Sequence, residues 1–289
     1  MVAQAAQHAP LMQPVKSILV ALGKERDCTG ALTRAAALAR RLDAHVELFL
    51  CEAERAFALH HQYDPGSTDV IRKNLLSESR NGLERQWRAL HVDDVRVSME
   101  SVCESPLYEA VRRKVEATRP DLVIRGIGGH ECAFSAADSD VVRTCPVPLL
   151  LTRGHVWRPD LVMAAAVDIS GVESPEFTRA ILLAAAAMAE SCGAQLDVLY
   201  AQRSGAESVE ESRSLLGRHV AAAQVRPRQL HVISGEPAMV IPQFAGRQGY
   251  EVLVLGALTH RPATTALVGT LAGRLAEALD CDLLLVKPR

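Results

Sequence analysis

The chain alternates short, continuous apolar runs with longer amphipathic stretches, and it does so twice. KSILVALG (16–23) and LVMAAAVD (161–168) are apolar runs that lead through polar residues into helix-like, alanine-rich segments. Both segments contain Thr-Arg-Ala, at 33–35 in the first half and at 178–180 in the second. Continuous apolar runs alternating with helices are typical of parallel strands that are buried on both faces of a sheet.

The remaining apolar runs also occur in pairs, one from each half. The pairs are HVELFL with QLDVLY, VRVSMESV with LHVIS, DLVIRG with EVLVLG, and CPVPLLLTR with CDLLLVKPR. Each half therefore predicts a βαβαβαβαβ unit, and the fold class is α/β with two tandem, doubly wound, Rossmann-like domains of five parallel strands. We predict domains at 1–155 and 156–289, with the restart near Arg158-Pro159 in the linker RGHVWRPD.

Composition and charge narrow the classes of function. The net charge is −2 with both signs interspersed, which argues against nucleic-acid binding and against a polybasic membrane anchor. The longest apolar helical stretch, AILLAAAAMA, is too short to span a bilayer, and the N-terminus makes a poor signal peptide. The seven cysteines form no C-x-x-C pair, so buried thiols and a cytoplasmic location are expected.

Motifs for catalysis and for metal binding are missing from the sequence. It contains no G-x-S-x-G, no H-E-x-x-H and no Walker lysine, and no paired acid and base stands out. Adjacent His60 and His61 would point in different directions on a helix, and the acidic residues near them follow no pattern. We therefore expect a protein that binds rather than catalyses, with no metal site.

The ordered set of motifs, present in both halves, resembles the universal stress protein family. The similar features are a first strand of the I-L-V-A-V-D type, a G-x-P turn before a helix (Gly235-Glu236-Pro237), a fourth strand ending in glycine, and a last strand of the C-P/D-x-L-L-V type. The chain looks most like the tandem, E-type members. That resemblance implies a HUP-type fold in which the last strands of the halves pair as an internal pseudo-dimer.

The resemblance also implies a nucleotide loop in the second half. Nucleotide-binding members have Gly-x-x-Gly, nine residues, and then Gly-Ser or Gly-Thr, and here Gly256, Gly269 and Thr270 match while Thr259 replaces the middle glycine. Asp168 ends the first strand, where the family places an aspartate that contacts adenosine. ATP is the candidate cofactor of these residues. A plain connection between strand and helix remains the alternative.

The first half departs further from this pattern. Gly23 replaces the aspartate. The stretch from Gly126 to Cys145 is shorter than the stretch from the corresponding glycine of the second half to Cys281, so the first loop is predicted to be six residues shorter. Asp140 is predicted near the start of the following helix, where it would repel a phosphate. We therefore expect at most one nucleotide per chain.

The predicted function is that of a cytoplasmic stress-response protein acting through a small-molecule ligand, such as an adenine nucleotide, or through a partner. The sequence leaves two alternatives open: a weak ATP hydrolase, or a module that binds a larger apolar, lipid-like ligand. It also leaves open whether the chain is a monomeric pseudo-dimer or a homodimer. No nucleic-acid partner and no membrane span are expected.

Overall fold

The computed structural model describes residues 15–23, 29–53, 55–56, 65–127, 134–203, 208–257 and 271–287. In chain order, strands β1 to β10 span Ser17–Gly23, His45–Cys51, Val97–Val102, Leu122–Gly126, Leu149–Thr152, Val162–Ala166, Gln195–Gln202, Leu230–Ser234, Val252–Gly256 and Asp282–Val286. Helices α1 to α8 span Thr29–Leu42, Pro65–Arg88, Leu107–Thr118, Ala136–Thr144, Pro175–Cys192, Val209–Ala222, Pro237–Gln248 and Leu271–Ala278.

All ten of these strands form one sheet, in the order β3-β2-β1-β4-β5-β10-β9-β6-β7-β8. Neighbouring strands are parallel within each half, while β5 and β10 are antiparallel, with Leu150 opposite Leu284. The order of the first five strands is thus repeated in reverse by the last five. The predicted fold class, two tandem doubly wound sheets forming an internal pseudo-dimer, is confirmed.

Two apolar cores lie on the two faces of this sheet, and both run through the two halves. One core contains Ile18 and Met163, and the other contains the next residue of each strand, Leu19 and Ala164. Successive side chains of a strand point to opposite faces, so these central strands are apolar without interruption. The uninterrupted apolar runs in the sequence therefore reflect strands whose two faces are both buried.

A buried network joins the halves where β5 meets β10. Asp282, the first residue of β10, is 1% exposed and lies 2.7 Å from the Nε of Arg34 on α1. Its carboxylate also accepts hydrogen bonds from Thr152 Oγ1 at 3.0 Å, from the backbone N of Arg153 at 2.9 Å and from Trp157 Nε1 at 3.1 Å. The Arg34 guanidinium stacks 3.6 Å above the Trp157 ring. One carboxylate thus links α1, β5 and the linker to the second half.

Candidate functional site

Ligands of doubly wound sheets bind beyond the carboxyl ends of the strands, where the strand order reverses. In the second half this point lies between β6 and β9, which are neighbours in the sheet. Asp168 follows β6 by two residues and Gly256 is the last residue of β9, so two of the predicted site residues lie at this edge. The other three, Thr259, Gly269 and Thr270, lie outside the described residues.

The loop after β6 carries two carboxyl groups. Asp168 Oδ1 accepts a hydrogen bond from the backbone N of Ser170 at 2.8 Å, and its carbonyl accepts from Thr178 Oγ1 at 3.4 Å. Burial, together with the charge of Asp168, raises the pKa of Glu173 to about 7. Glu173 Oε2 is buried and has no hydrogen-bond partner among the described residues. The sequence analysis missed Glu173, whose burial beside Asp168 is seen only in the structure.

Gly256 has a packing role that does not depend on a ligand. A Cβ atom at this position would lie 2.5 Å from Phe177 Cε1 and 2.8 Å from Ile181 Cδ1, both on α5. The absence of a side chain therefore lets α5 lie close against the end of β9. At Gly126, the equivalent position of the first half, a Cβ atom would meet Ala31 Cβ at an ordinary 3.5 Å. The phosphate role of Gly256 remains a prediction.

The structure corrects the predicted length of the loop in the first half. Helices α4 and α8 end at Thr144 and Ala278, so these two residues are equivalent. Leu150 and Leu284, which face each other across the seam, are separated by the same number of residues along the chain. We call this separation the α4–α8 offset (Thr144 to Ala278). Cys145 therefore corresponds to Leu279, the residue after α8, and not to Cys281. Counted to these positions from the glycines that end β4 and β9, the first loop is four residues shorter, not six.

The two cysteines suggested a wrong match because their strands begin at different distances from them. Strand β5 begins at Leu149, four residues after Cys145, whereas β10 begins at Asp282, directly after Cys281. In this register the Pro-Val-Pro segment before β5 corresponds to Asp280, Cys281 and Asp282, so Cys281 is equivalent to Val147 and not to Cys145. A shared cysteine before a leucine run is therefore a poor anchor for the comparison.

The prediction for Asp140 is also wrong. Helix α4 is capped by Ser135, and Asp138, its third residue, closes a capping box in which the Asp138 carboxylate accepts from Ser135 N at 2.8 Å. Asp140 lies further along the helix and pairs with Arg143 at 2.6 Å. Because the helix begins at Ala136, Asp140 lies in its second turn, and the carboxylate at the start of the helix is Asp138.

A buried ion pair holds Asp138 in place. Arg125 on β4 is 2% exposed, Asp138 is fully buried, and Arg125 Nε lies 2.6 Å from Asp138 Oδ1. We call this contact the internal ion pair (Arg125–Asp138). It puts a carboxylate of the chain itself at the helix N-terminus, the kind of position where an anionic ligand binds. In the second half, Leu255 and Ala272 occupy the two equivalent positions, so this arrangement is missing there.

A cavity of about 370 Å³ lies at the opposite edge of the second half, and Trp157, Glu251 and Asp282 contribute to its lining. Neither Asp168 nor Gly256, the two predicted site residues that the structure describes, lines it. Among the described ranges, no cluster of three or more His, Cys, Asp and Glu side chains is arranged to hold a metal ion. His60 and His61 lie outside those ranges. No helix within them has the length and apolarity needed to cross a membrane.

Comparisons with known proteins agree with this geometry. Residues 164–287 match the universal stress protein family. Universal stress protein E of Photorhabdus laumondii is 22% identical, with 96% of each chain covered. The E protein of Escherichia coli K12 is 21% identical, with 96% of this chain and 95% of that protein covered. A crystal structure of a universal stress protein from Archaeoglobus fulgidus is 12% identical with a TM-score of 0.71, covering 93% of this chain and 98% of that one.

The fold and the strand order define a tandem α/β protein built from two Rossmann-like halves. Its second half matches the universal stress protein family, and the chain is similar to the tandem E-type members over nearly its whole length. The predicted resemblance is confirmed. It supports a role in the stress response.

Proposed function

We propose that this protein acts in the cytoplasmic stress response by binding an adenine nucleotide of the ATP type in its second half. The observation that carries the proposal is the asymmetry of the internal ion pair (Arg125–Asp138). In the first half, this pair places a carboxylate of the chain at the start of α4. The second half has apolar residues at both positions and keeps Asp168 at the switch point. The second half therefore has no carboxylate at the position equivalent to Asp138.

The two carboxyl groups of the second half suit the sugar end of a nucleotide. The side-chain oxygens of Asp168 can accept hydrogen bonds from ribose hydroxyls, and Glu173, whose pKa is raised to about 7, offers a proton donor beside it at neutral pH. A carboxyl group poised near pH 7 also suits a general base. Weak ATP hydrolysis is the second candidate function, and it requires the opposite placement of the nucleotide, with its terminal phosphate rather than its ribose beside Glu173, which would then activate water.

Titration calorimetry with ATP tests the binding proposal. We expect no more than one site per chain, and we expect Asp168→Ala to weaken binding by a few-fold to about a hundred-fold through the loss of hydrogen bonds to a charged group. Asp140→Ala, in the first half, is the matched control and should leave the affinity unchanged. Equal affinity in the wild type and Asp168→Ala, or two equivalent sites, would contradict the proposal.

The hydrolysis candidate is separated from binding by Glu173→Gln. This variant keeps the shape of the side chain and removes its basic oxygen. Under the binding function, any phosphate release from ATP is absent or equal in the two proteins. Release that falls at least about ten-fold in the variant, while ATP still binds, would favour the hydrolase.

A further inference from the structure

Three charged side chains from three separate connections meet at the carboxyl edge of the second half. Arg203 directly follows β7, Glu236 directly precedes α7, and Arg274 lies in α8. Arg203 Nε is 3.6 Å from Glu236 Oε2, and Arg274 Nη1 is 3.5 Å from Glu236 Oε1. One carboxylate thus lies between two guanidinium groups, and the cluster carries a net positive charge.

These contacts are loose and open to solvent. The side chains of Arg203, Glu236 and Arg274 are 75%, 46% and 45% exposed, and both ion pairs are about 1 Å longer than the 2.6 Å internal ion pair (Arg125–Asp138). Exposed ion pairs of this kind contribute little to stability, so an arginine can leave Glu236 at small cost. Arg203 and Arg274 are therefore able to release the Glu236 carboxylate and bind an anionic ligand in its place.

In the first half, the position equivalent to Arg274 carries a negative charge instead of a positive one. The α4–α8 offset (Thr144 to Ala278) pairs Arg274 with Asp140, whose carboxylate is bonded to Arg143. Aligning the prolines at the turns before α3 and α7 pairs Glu236 with the uncharged Ser105. The first half thus has neither an arginine at the position of Arg274 nor a carboxylate at the position of Glu236.

We infer that Arg274 and Arg203 bind the polyphosphate end of the nucleotide and that Glu236 competes with the phosphates for them. The inference rests on the proposed function and extends it to selectivity. A guanidinium binds phosphate oxygens through paired hydrogen bonds, and the gain grows with the charge of the ligand. A triphosphate displaces Glu236, whereas adenosine leaves it in place, so the cluster selects for phosphate number.

Calorimetry with ATP, AMP and adenosine tests this inference in the full-length protein. Arg274→Gln should weaken ATP binding about ten-fold and leave adenosine binding unchanged, because only the phosphates lose a partner. Glu236→Gln should strengthen ATP binding several-fold, because it removes the competitor and a charge that repels phosphate. Arg203→Gln should act like Arg274→Gln. Arg247→Gln removes the same charge from the exposed end of α7 and is the matched control, with no expected change.

The outcomes separate this inference from the proposal on which it rests. If the wild type binds both ATP and adenosine and the Arg274, Arg203 and Glu236 variants bind ATP equally well, the arginine assignment is wrong and the nucleotide site stands. If ATP binding weakens equally in Arg247→Gln and Arg274→Gln, the effect is one of net charge and the assignment is again wrong. If the wild type binds none of the three ligands, both fail. The opposite expected signs for Glu236→Gln and Arg274→Gln distinguish a specific effect from partial unfolding.

Discussion

Lys287, just after the last strand, donates a hydrogen bond from Nζ to the carbonyl oxygen of Val142 in the last turn of α4, in the other half of the molecule. Arg153 makes the reverse contact, donating from Nη2 to the carbonyl of Ala276 in the last turn of α8 at 2.6 Å. The α4–α8 offset (Thr144 to Ala278) relates both pairs. Each half thus places a cation on the negative end of a helix in the other half, where it satisfies free carbonyls.

The Lys287 contact predicts a pH dependence of stability. Burial lowers the pKa of Lys287 from 10.5 to about 8. Between these values the unfolded chain holds a proton that the folded chain has released, so the contribution of Lys287 to the free energy of unfolding rises with pH. Urea unfolding should show wild type gaining up to about 3 kcal/mol relative to Lys287→Met between pH 8 and pH 10.5. Arg153→Met, which removes the corresponding contact at the end of α8, should show no such trend. A flat difference for Lys287→Met would contradict the buried contact.

The carboxylate of Asp282 is expected to be critical for joining the halves. Asp282→Asn keeps the shape of the side chain but leaves the buried Arg34 guanidinium without a counter-charge, which should cost about 3–5 kcal/mol in unfolding free energy. The exposed neighbour Asp280 provides the control, and Asp280→Asn should change stability by less than about 0.5 kcal/mol. Similar small effects from both changes would show that Arg34 finds another partner or solvent.

The internal ion pair (Arg125–Asp138) should be more costly to break than to replace. Asp138→Ala leaves Arg125 buried without its partner and should cost about 3–5 kcal/mol. The double variant Arg125→Leu with Asp138→Ala installs the residue types of the second half and should be more stable than Asp138→Ala alone. A double-mutant cycle of urea unfolding measures the coupling, and strict additivity would show that the pair is not energetically connected.

The two strand-ending glycines should respond differently to a methyl group. Gly256→Ala forces its Cβ against Phe177 and Ile181 and should destabilise the protein by about 1–3 kcal/mol. Gly126→Ala makes only an ordinary contact and should cost less than about 1 kcal/mol. Adding Phe177→Leu to Gly256→Ala should restore part of the loss, as measured by thermal or urea unfolding. Equal costs at the two glycines would refute the packing role.

Glu173 should destabilise the folded state as the pH rises towards neutrality. Its folded pKa of about 7 lies above the ordinary 4.5, so between these values the folded chain holds a proton that the unfolded chain has lost. Stability from this group therefore falls from pH 4.5 to pH 7, by about 1–2 kcal/mol once its partial exposure is taken into account. The trend should vanish in Glu173→Gln and weaken in Asp168→Asn, which removes the nearby charge. Parallel pH profiles for wild type and Glu173→Gln would be the contrary result.

The architecture could be predicted from the sequence because it depends on patterns that burial imposes on every strand. The run VLVL of β9 and the run DLLLV of β10 are buried along their whole length, and only a sheet covered on both faces accepts such runs. The recurrence of the whole pattern in the second half, marked by the two Thr-Arg-Ala segments, then indicates the second sheet. The pairing of β5 with β10 followed from the family resemblance.

The site was less predictable because its side chains have partners that are distant in sequence. The segment between Arg125 and Asp138 carries no pattern that indicates a buried pair, and the sequence instead suggested Asp140 as the repelling carboxylate. Cys145 and Cys281 match by residue type, although backbone register matches Cys145 to Leu279. The packing of Gly256 against α5 depends on the distance between a helix and a strand, which no local motif encodes.

The antiparallel contact between β5 and β10 joins two halves of the same polypeptide, so it determines which two halves are paired as well as how they are arranged. Two separate chains joined at this seam would dissociate on dilution and could exchange partners, whereas here both members belong to one polypeptide. At any concentration, every molecule therefore contains one half with the internal ion pair (Arg125–Asp138) and one half without it. The covalent linkage thus makes the pairing of two unlike halves permanent, so a substitution confined to one half is always combined with the same unaltered partner.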